Sequence, residues 1–205
     1  MTTAPDPSVA QPRKRWTIAA ILLGLAAVVV VALAIPGVTT SRISANEAAA
    51  AAVLKFGFFP AQIAAQNGCH IDQDRDGNGE FATLGELIGA QDAGGKKLSL
   101  LSLQLQNDPN NGYHFRVYLP DGTGGAMTSD RQARVANPAA ANAQERAFVV
   151  YAWPATKDSG SRIFALCQDG QLRSPVTHAL SEPQWNEVFG GSDFTTEPAW
   201  PVYRR

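Results

Sequence analysis

Hydrophobic residues follow three different patterns along this chain. Residues 17–35 are apolar throughout apart from a threonine at the edge, and they carry no charge. Residues 39–66 are rich in alanine, with six alanines among residues 45–52. From residue 112 onward, apolar residues come in short runs of strand length. The patterns predict a membrane-length helix, a second helix and a small β-sheet.

The first pattern has the length of a bilayer-spanning helix. Nineteen residues at about 1.5 Å of rise each make a helix of roughly 28 Å, close to the thickness of a hydrocarbon core. A helix inside a soluble protein is rarely apolar on every face over such a length. We therefore predict a transmembrane helix over residues 17–35, preceded by a proline-containing, disordered cytoplasmic stub over residues 1–16.

Basic residues flank this segment unequally. The run Arg-Lys-Arg stands at 13–15, directly before it, whereas only Arg42 follows it closely. Cationic loops stay on the cytoplasmic side, so the N-terminus is predicted to lie inside and everything after Pro36 outside. The predicted location is the cytoplasmic (inner) membrane, with a single span.

A competing interpretation treats the same segment as a signal peptide. Ala32-Leu33-Ala34 fits the A-x-A pattern after which signal peptidase cuts, and a cleaved chain would begin near Ile35 and be secreted. The apolar run is longer than the roughly 7–15 residues usual in such peptides, which favours its retention as an anchor. Both interpretations export the following domain.

The exported part is predicted to begin with a helix over residues 36–66, because alanine is the best helix former. Gly57 and Pro60 are expected to kink or break that helix. Residues 67–205 are predicted to form a small antiparallel sheet domain with an acidic loop, a long loop over 121–143 and an irregular tail from Pro175.

Three segments carry the predicted sheet. Residues 112–120 alternate between apolar and more polar positions, which indicates a half-buried strand; the predicted inward face is Tyr113, Phe115, Val117 and Leu119. Residues 145–154 predict a central strand, and residues 161–174 a hairpin that turns at Asp169-Gly170. Because such a sheet needs cover on one face, the helix is its expected cover and the fold class is α+β.

The acidic segment DQDRDGNGEF, at residues 72–81, is a candidate calcium site. Calcium prefers hard oxygen ligands, and an EF-hand-like loop alternates them around a glycine. The candidate ligands are Asp72, Asp74, Asp76, Asn78 and Glu80. Thr83 stands at the twelfth position, where a bidentate glutamate belongs, so a complete EF-hand is not expected. The alternative is a plain acidic turn, since aspartate also satisfies backbone N–H groups in turns.

Two cysteines, Cys69 and Cys167, permit a disulfide in an exported domain; the alternative is two separate buried thiols. The three histidines lack metal-ligand spacing, and no nucleophile elbow, phosphate loop or dinucleotide fingerprint is present. We therefore predict that the protein is not an enzyme and has no small-molecule substrate. A formal net charge of −1 gives no reason to expect nucleic-acid binding.

Several stretches resemble those of bacterial pilin-like and pseudopilin-like membrane proteins. In order along the chain they are R-I-x-A-N-E-A at 42–48, D-x-D-x-D-G-x-G-E-F at 72–81, G-E-L at 85–87, G-Y-x-F-x-V-Y-L-P at 112–120 and Y-A-W-P at 151–154. The resemblance implies a membrane helix that continues into a helix packed on an antiparallel sheet. It also implies a structural or assembly role, in a pilus-like or type II secretion system, with other pilin-like subunits or envelope proteins as partners.

The N-terminus departs from the pilin pattern. Pilins carry a processing signal with a glycine before the apolar helix and a glutamate shortly inside it, whereas this helix follows PRKRW and has no glutamate between Trp16 and Ile35. The resemblance therefore extends to architecture and topology but not to polymerisation. The alternative function is a secreted or anchored, calcium-stabilised extracellular binding module.

Overall fold

A computed structural model of the protein describes residues 22–24, 40–91, 95–128 and 137–204, in two compact units, Met1–Arg42 and Ile43–Arg205. Residues 22–24 are helical, and the side chains of Leu22 and Leu23 are 60% and 78% exposed. The rest of the predicted membrane helix, the stub and the A-x-A motif lie outside the described residues.

The long helix α1 runs over Thr40–Asn67 without a break. Its backbone widens into a π-helical segment at Val53–Phe58, where the N–H of Phe59 donates to the carbonyl of Leu54. Pro60 follows directly, and it has no N–H to donate. A π-helical turn takes up such an interruption of the hydrogen-bond ladder, so the helix continues past Gly57 and Pro60 instead of ending there.

Of the described helices, α1 is the one long and apolar enough to cross a membrane by length and composition. One of its faces is nevertheless buried within the domain, through residues three or four apart: Ala50, Leu54, Phe58, Ala61 and Ala65. This spacing is that of a single helix face. The helix therefore packs as a core element of the second unit.

Five antiparallel strands form one sheet in the order β2-β1-β3-β4-β5. Their bounds are Tyr113–Pro120 for β1, Ala126–Met127 for β2, Val149–Pro154 for β3, Phe164–Cys167 for β4 and Leu172–Arg173 for β5. The long strands pair in register, with Phe115 opposite Ala152 and Ala152 opposite Phe164. The predicted α+β class, with a helix on an antiparallel sheet, is confirmed.

One face of the sheet packs against α1. The residues of this face include Tyr113, Phe115, Val117, Leu119, Phe148, Val150, Ala152, Phe164 and Leu166. The inward face predicted for residues 112–120 is therefore correct. The rings of Phe58 on α1 and Phe115 on β1 stack with centroids 5.8 Å apart, a contact that adds to the apolar burial.

The C-terminal tail covers the opposite face. The tail is irregular as predicted, apart from a 3₁₀ helix at Glu187–Phe189. Its Val188, Phe189 and Phe194 pack on the sheet, and the buried hydroxyl of Tyr151 accepts from the N–H of Val188 at 3.0 Å. The sheet is therefore covered on both faces, whereas the sequence predicted a cover on one.

The region between β1 and β3 differs from its prediction. The loop predicted over 121–143 contains β2 and a helix, α3, at Pro138–Gln144. Helix α3 begins with a proline, which is favoured at the first helical position, and continues with three alanines, the best helix formers. A four-residue helix, α2, lies at Leu84–Leu87 and begins with a capping box between Thr83 and Glu86.

The start of α1 is fixed by side chains that bind the loop before β4. Asn46 Nδ2 donates to the carbonyl of Ser159 at 2.9 Å. Glu47 Oε1 accepts from the N–H and the hydroxyl of Ser161, at 2.9 and 2.7 Å, and its other oxygen lies 3.4 Å from Nε of Arg162. These contacts hold the first turns of α1 against the sheet.

His178 fixes the tail layer. Its Nε2 contacts the carboxylate of Glu187, its Nδ1 contacts the carbonyl of Ala179, and its ring meets that of Trp200 edge-on. Burial acts to lower the pKa of His178, but the hydrogen bonds to Glu187 and Ala179 and the charge of Glu187 outweigh it, so the pKa is raised. A raised pKa in the folded state stabilises the fold below the unfolded pKa, and this contribution is lost as pH rises through the folded pKa.

We expect substitution His178→Gln to destabilise the domain most at acidic pH. The difference in urea midpoint between wild type and variant should be largest below about pH 6.5, the unfolded pKa of histidine, and should shrink as pH rises. Glu187→Gln is the matched variant, because it removes the carboxylate and should reduce the same pH dependence. An equal difference at acidic and alkaline pH would contradict the role assigned to this pair.

Candidate metal centre

The three aspartates of the acidic loop converge. Carboxylate oxygens of Asp72, Asp74 and Asp76 lie within 4.8 Å of one another. Each aspartate also accepts a backbone N–H within the loop, over 2.8–3.3 Å, from Gly77, Asp76 and Asn78 respectively. Gly77 has a φ of +90°, which favours glycine, at the sixth position of the predicted EF-hand-like register. Oxygen ligands gathered in this way suit a hard cation.

The other two predicted ligands take different roles. Glu80 is fully buried, and its Oε1 accepts from the N–H of Gln73 at 2.8 Å. Its carboxylate does not belong to the converged group. The side-chain amide of Asn78 donates to Oδ2 of Asp76 at 2.9 Å. The structure therefore brings together three of the four predicted carboxylates, because Glu80 is turned into the domain to hold the loop's backbone. The predicted ligand atom of Asn78 is its backbone carbonyl oxygen, and that part of the prediction stays a prediction.

A fifth acidic residue, Glu145, borders the loop from a distant part of the chain. Burial, followed by the negative charges of Asp76, Asp74 and Glu80, raises the pKa of Glu145, which lies between α3 and β3. The sequence did not identify Glu145 as a residue of this site, because a single glutamate before a strand does not indicate which part of the fold lies next to it. Among the described residues, the aspartate triad is the one group of three acidic, histidine or cysteine side chains with metal-ligand spacing.

Two glutamines on α1 hold the loop against the helix. Gln62 is fully buried and pairs with the backbone of Ala82 through both amide atoms, each hydrogen bond measuring 2.8 Å. Gln66 donates to the carbonyl of Glu145. The loop approaches so closely that a Cβ atom on Gly79 would lie 2.1 Å from the carbonyl oxygen of Gln66, so only glycine fits.

Two further glutamines connect the loop to α3. Gln73 Nε2 donates to Oε1 of Gln144 at 2.9 Å, and its Oε1 accepts from the N–H of Asn137 at 2.8 Å. Gln144 in turn donates to the carbonyl of Pro120 at 2.7 Å. The loop therefore joins the end of α1, the start of α3 and the end of β1. An ion held by the triad would brace this junction.

The two cysteines do not form the disulfide that the sequence left open as one of two alternatives. Both are free, and Cys69 is exposed whereas Cys167 is fully buried under the tail. Burial raises the pKa of the Cys167 thiol to about 12, as expected for a small hydrophobic residue. Cys69 Sγ lies 3.8 Å from Oδ2 of Asp72, and burial together with that carboxylate raises the pKa of its thiol.

The three histidines contact different partners, and none of them belongs to a group of described residues with metal-ligand spacing. His114 Nδ1 lies 2.6 Å from a carboxylate oxygen of Asp108, and its ring stacks on Trp153. His178 belongs to the tail layer, and the ring of His70 lies over Gly68 at the end of α1. The predicted lack of enzymatic activity stays a prediction.

We expect Gln62→Leu to destabilise the domain although leucine is apolar and similar in length. The substitution leaves the fully buried N–H and carbonyl of Ala82 without partners, at a cost of about 1–3 kcal/mol for each group. The urea midpoint followed by tryptophan fluorescence measures the loss. Gln104→Leu, at an exposed position, is the control and should change the midpoint little. Equal midpoints for both variants would contradict the role of Gln62.

Comparison of the chain with protein-family models, with curated proteins and with solved structures finds no match in any of the three. The pilin-like resemblance of the motifs therefore stays a prediction, and the functional argument depends on this chain's own sequence and geometry.

Proposed function

We propose that the protein is a single-pass membrane protein that presents its α+β domain outside the cytoplasmic membrane. The observation that carries this proposal is the uninterrupted apolar run over residues 17–35, with its basic flank at 13–15. The described part of helix α1 starts at Thr40, five residues after the run ends.

The proposed role is structural or assembly-related. Polar side chains of the domain form hydrogen bonds between its elements, for example between Glu47 and Ser161 and between Gln73 and Gln144. Such cross-links favour a rigid module over a flexible catalytic cleft. The motif resemblance supports pilin-like subunits or envelope proteins as partners, in a secretion or pilus-like system. Because the prepilin signal is missing, the proposal does not include filament formation.

Membrane anchoring is tested by extraction and by topology. The full chain should remain in the membrane pellet after carbonate treatment, and alkaline phosphatase fused after Arg205 should be active, since that enzyme folds only outside the cytosol. Val28→Arg combined with Leu23→Arg is the matched variant: two charges near the helix centre cost about 2.5–3.5 kcal/mol each and should release the protein. An active cytosolic reporter after Arg205 would refute the topology.

The position of the mature N-terminus decides between anchor and secreted protein. A chain that begins with Met1 and pellets with the membrane supports the anchor. A soluble chain that begins at Ile35 supports signal-peptide cleavage and the secreted alternative.

A second candidate function is a calcium-stabilised extracellular binding module, and the convergence of Asp72, Asp74 and Asp76 favours it. Extracellular calcium sites bind in the ~0.1–1 mM range, which suits a loop with few carboxylates and no twelfth-position glutamate. Arg75 within the loop offsets part of the negative charge. Calcium would act as a structural brace between α1 and α3, and it is compatible with the anchored protein.

We expect millimolar Ca²⁺ to raise the melting temperature of the wild-type protein, because the ion binds only the folded loop. Asp74→Ala and Asp76→Ala should remove the shift. Asp158→Ala is the matched control, since this exposed aspartate lies outside the converged group and should leave the shift unchanged. Identical melting with and without calcium would exclude the site.

A further inference from the structure

One end of α1 is bordered by an exposed surface with apolar and cationic side chains. The contacts of Asn46 and Glu47 bring residues 155–162 beside the first turns of α1. A cleft of about 210 Å³ lies next to them, between Arg162 and the tail residues Val176 and Leu180. The start of the helix, the 155–162 loop and the tail therefore meet at one place in the domain.

The apolar side chains of this surface are unusually exposed. Val176 is 89% exposed, and Leu180 is 39% exposed. Both side chains line the cleft beside Arg162, and large apolar side chains grouped on a surface mark an interaction site more often than single ones do. We call Val176, Leu180 and Arg162, with Lys157 of the adjoining 155–162 loop, the basal surface.

Chain length limits the distance between the basal surface and the membrane. Asn46 follows Ile35, the last residue of the predicted membrane segment, by eleven residues. Residues 40–46 are helical, so the eleven residues span about 16 Å if all are helical and at most about 27 Å if the first five steps are fully extended. The acidic loop contacts Gln66 at the other end of α1, about 28 Å further along the helix axis from Glu47.

The two ends of α1 also differ in charge: cations predominate at the basal surface, and carboxylates predominate at the other end. The basal surface carries the exposed cations Lys157 and Arg162. Of the acidic residues near it in the chain or in contact with it, Asp158 is exposed, Glu182 is paired with Arg116, and Glu47 is bound to Ser161 and Arg162. The other end carries five acidic residues and two arginines: Asp72, Asp74, Asp76, Glu80, Glu145, Arg75 and Arg146. Cations close to a bilayer are attracted to anionic headgroups, and a cluster of carboxylates is repelled.

We propose that the basal surface rests on the outer leaflet of the bilayer in which residues 17–35 are inserted. This inference depends on the anchoring proposed above. Val176 and Leu180 enter the headgroup region and bury apolar area there, and Arg162 and Lys157 contact the phosphate groups. The domain then lies against the membrane, with the acidic loop directed away from it, so that the loop stays accessible to partners.

Depth-dependent fluorescence quenching tests the inference on the full chain in vesicles of phosphatidylethanolamine and phosphatidylglycerol. In a Cys69→Ser background, Val176→Cys carries an environment-sensitive fluorophore; Cys167 is fully buried and stays unlabelled. Asn67→Cys, at the exposed far end of α1, is the matched control. With headgroup-spin-labelled lipid, the label at 176 should lose most of its fluorescence and the label at 67 should keep it.

The outcomes separate this inference from the anchoring on which it rests. If the protein resists carbonate extraction but the label at 176 is no more quenched than the label at 67, the inference is wrong and the anchor stands. If the label at 176 is shielded from aqueous iodide yet is not quenched by lipid, a protein covers the surface, and the inference is again wrong. If carbonate extracts the protein, the anchor and the inference fall together.

Discussion

The contact between α1 and the sheet determines the position of every other element in the domain. The helix buries three alanines and two larger apolar residues, Leu54 and Phe58, in the core that it shares with the strands. Small side chains allow close approach, and the larger ones fill the gaps, which is how a helix and a twisted sheet reach the density of a protein interior. The π-helical segment at Val53–Phe58 lies against β3 and β4, and the buried face of the helix continues past Pro60 to Ala61 and Ala65.

Polar side chains fix the two ends of α1 in different ways. At the start, Glu47 binds the loop before β4; toward the end, Gln62 and Gln66 bind the acidic loop and the segment after α3. A buried amide that satisfies both groups of one backbone residue is costly to lose, so these glutamines specify the loop's position. Because the glutamines fix the position of the loop, its carboxylates are held close together. A bound cation would reduce their mutual repulsion.

The tail gives the sheet its second cover. Without it, Tyr151 and Cys167, on the face away from α1, would be exposed to water. The tail has a defined structure although most of it is irregular. Tyr151 accepts a hydrogen bond from the backbone of Val188, and His178 pairs with Glu187. The same arrangement leaves Val176 on the surface beside Arg162, next to the start of α1.

The sequence alone determined the features that depend on local periodicity: the apolar run at 17–35, the alternating strand at 112–120, the α+β class and the alternating aspartates. Only the tertiary structure decided that Gln73 meets Gln144, 71 residues away, that Glu145 faces the acidic loop and that Glu80 turns inward. It also decided that the two cysteines stay apart. The physical reason is that a polar residue's partner depends on long-range packing, and neither the residue type nor its spacing along the chain encodes that packing.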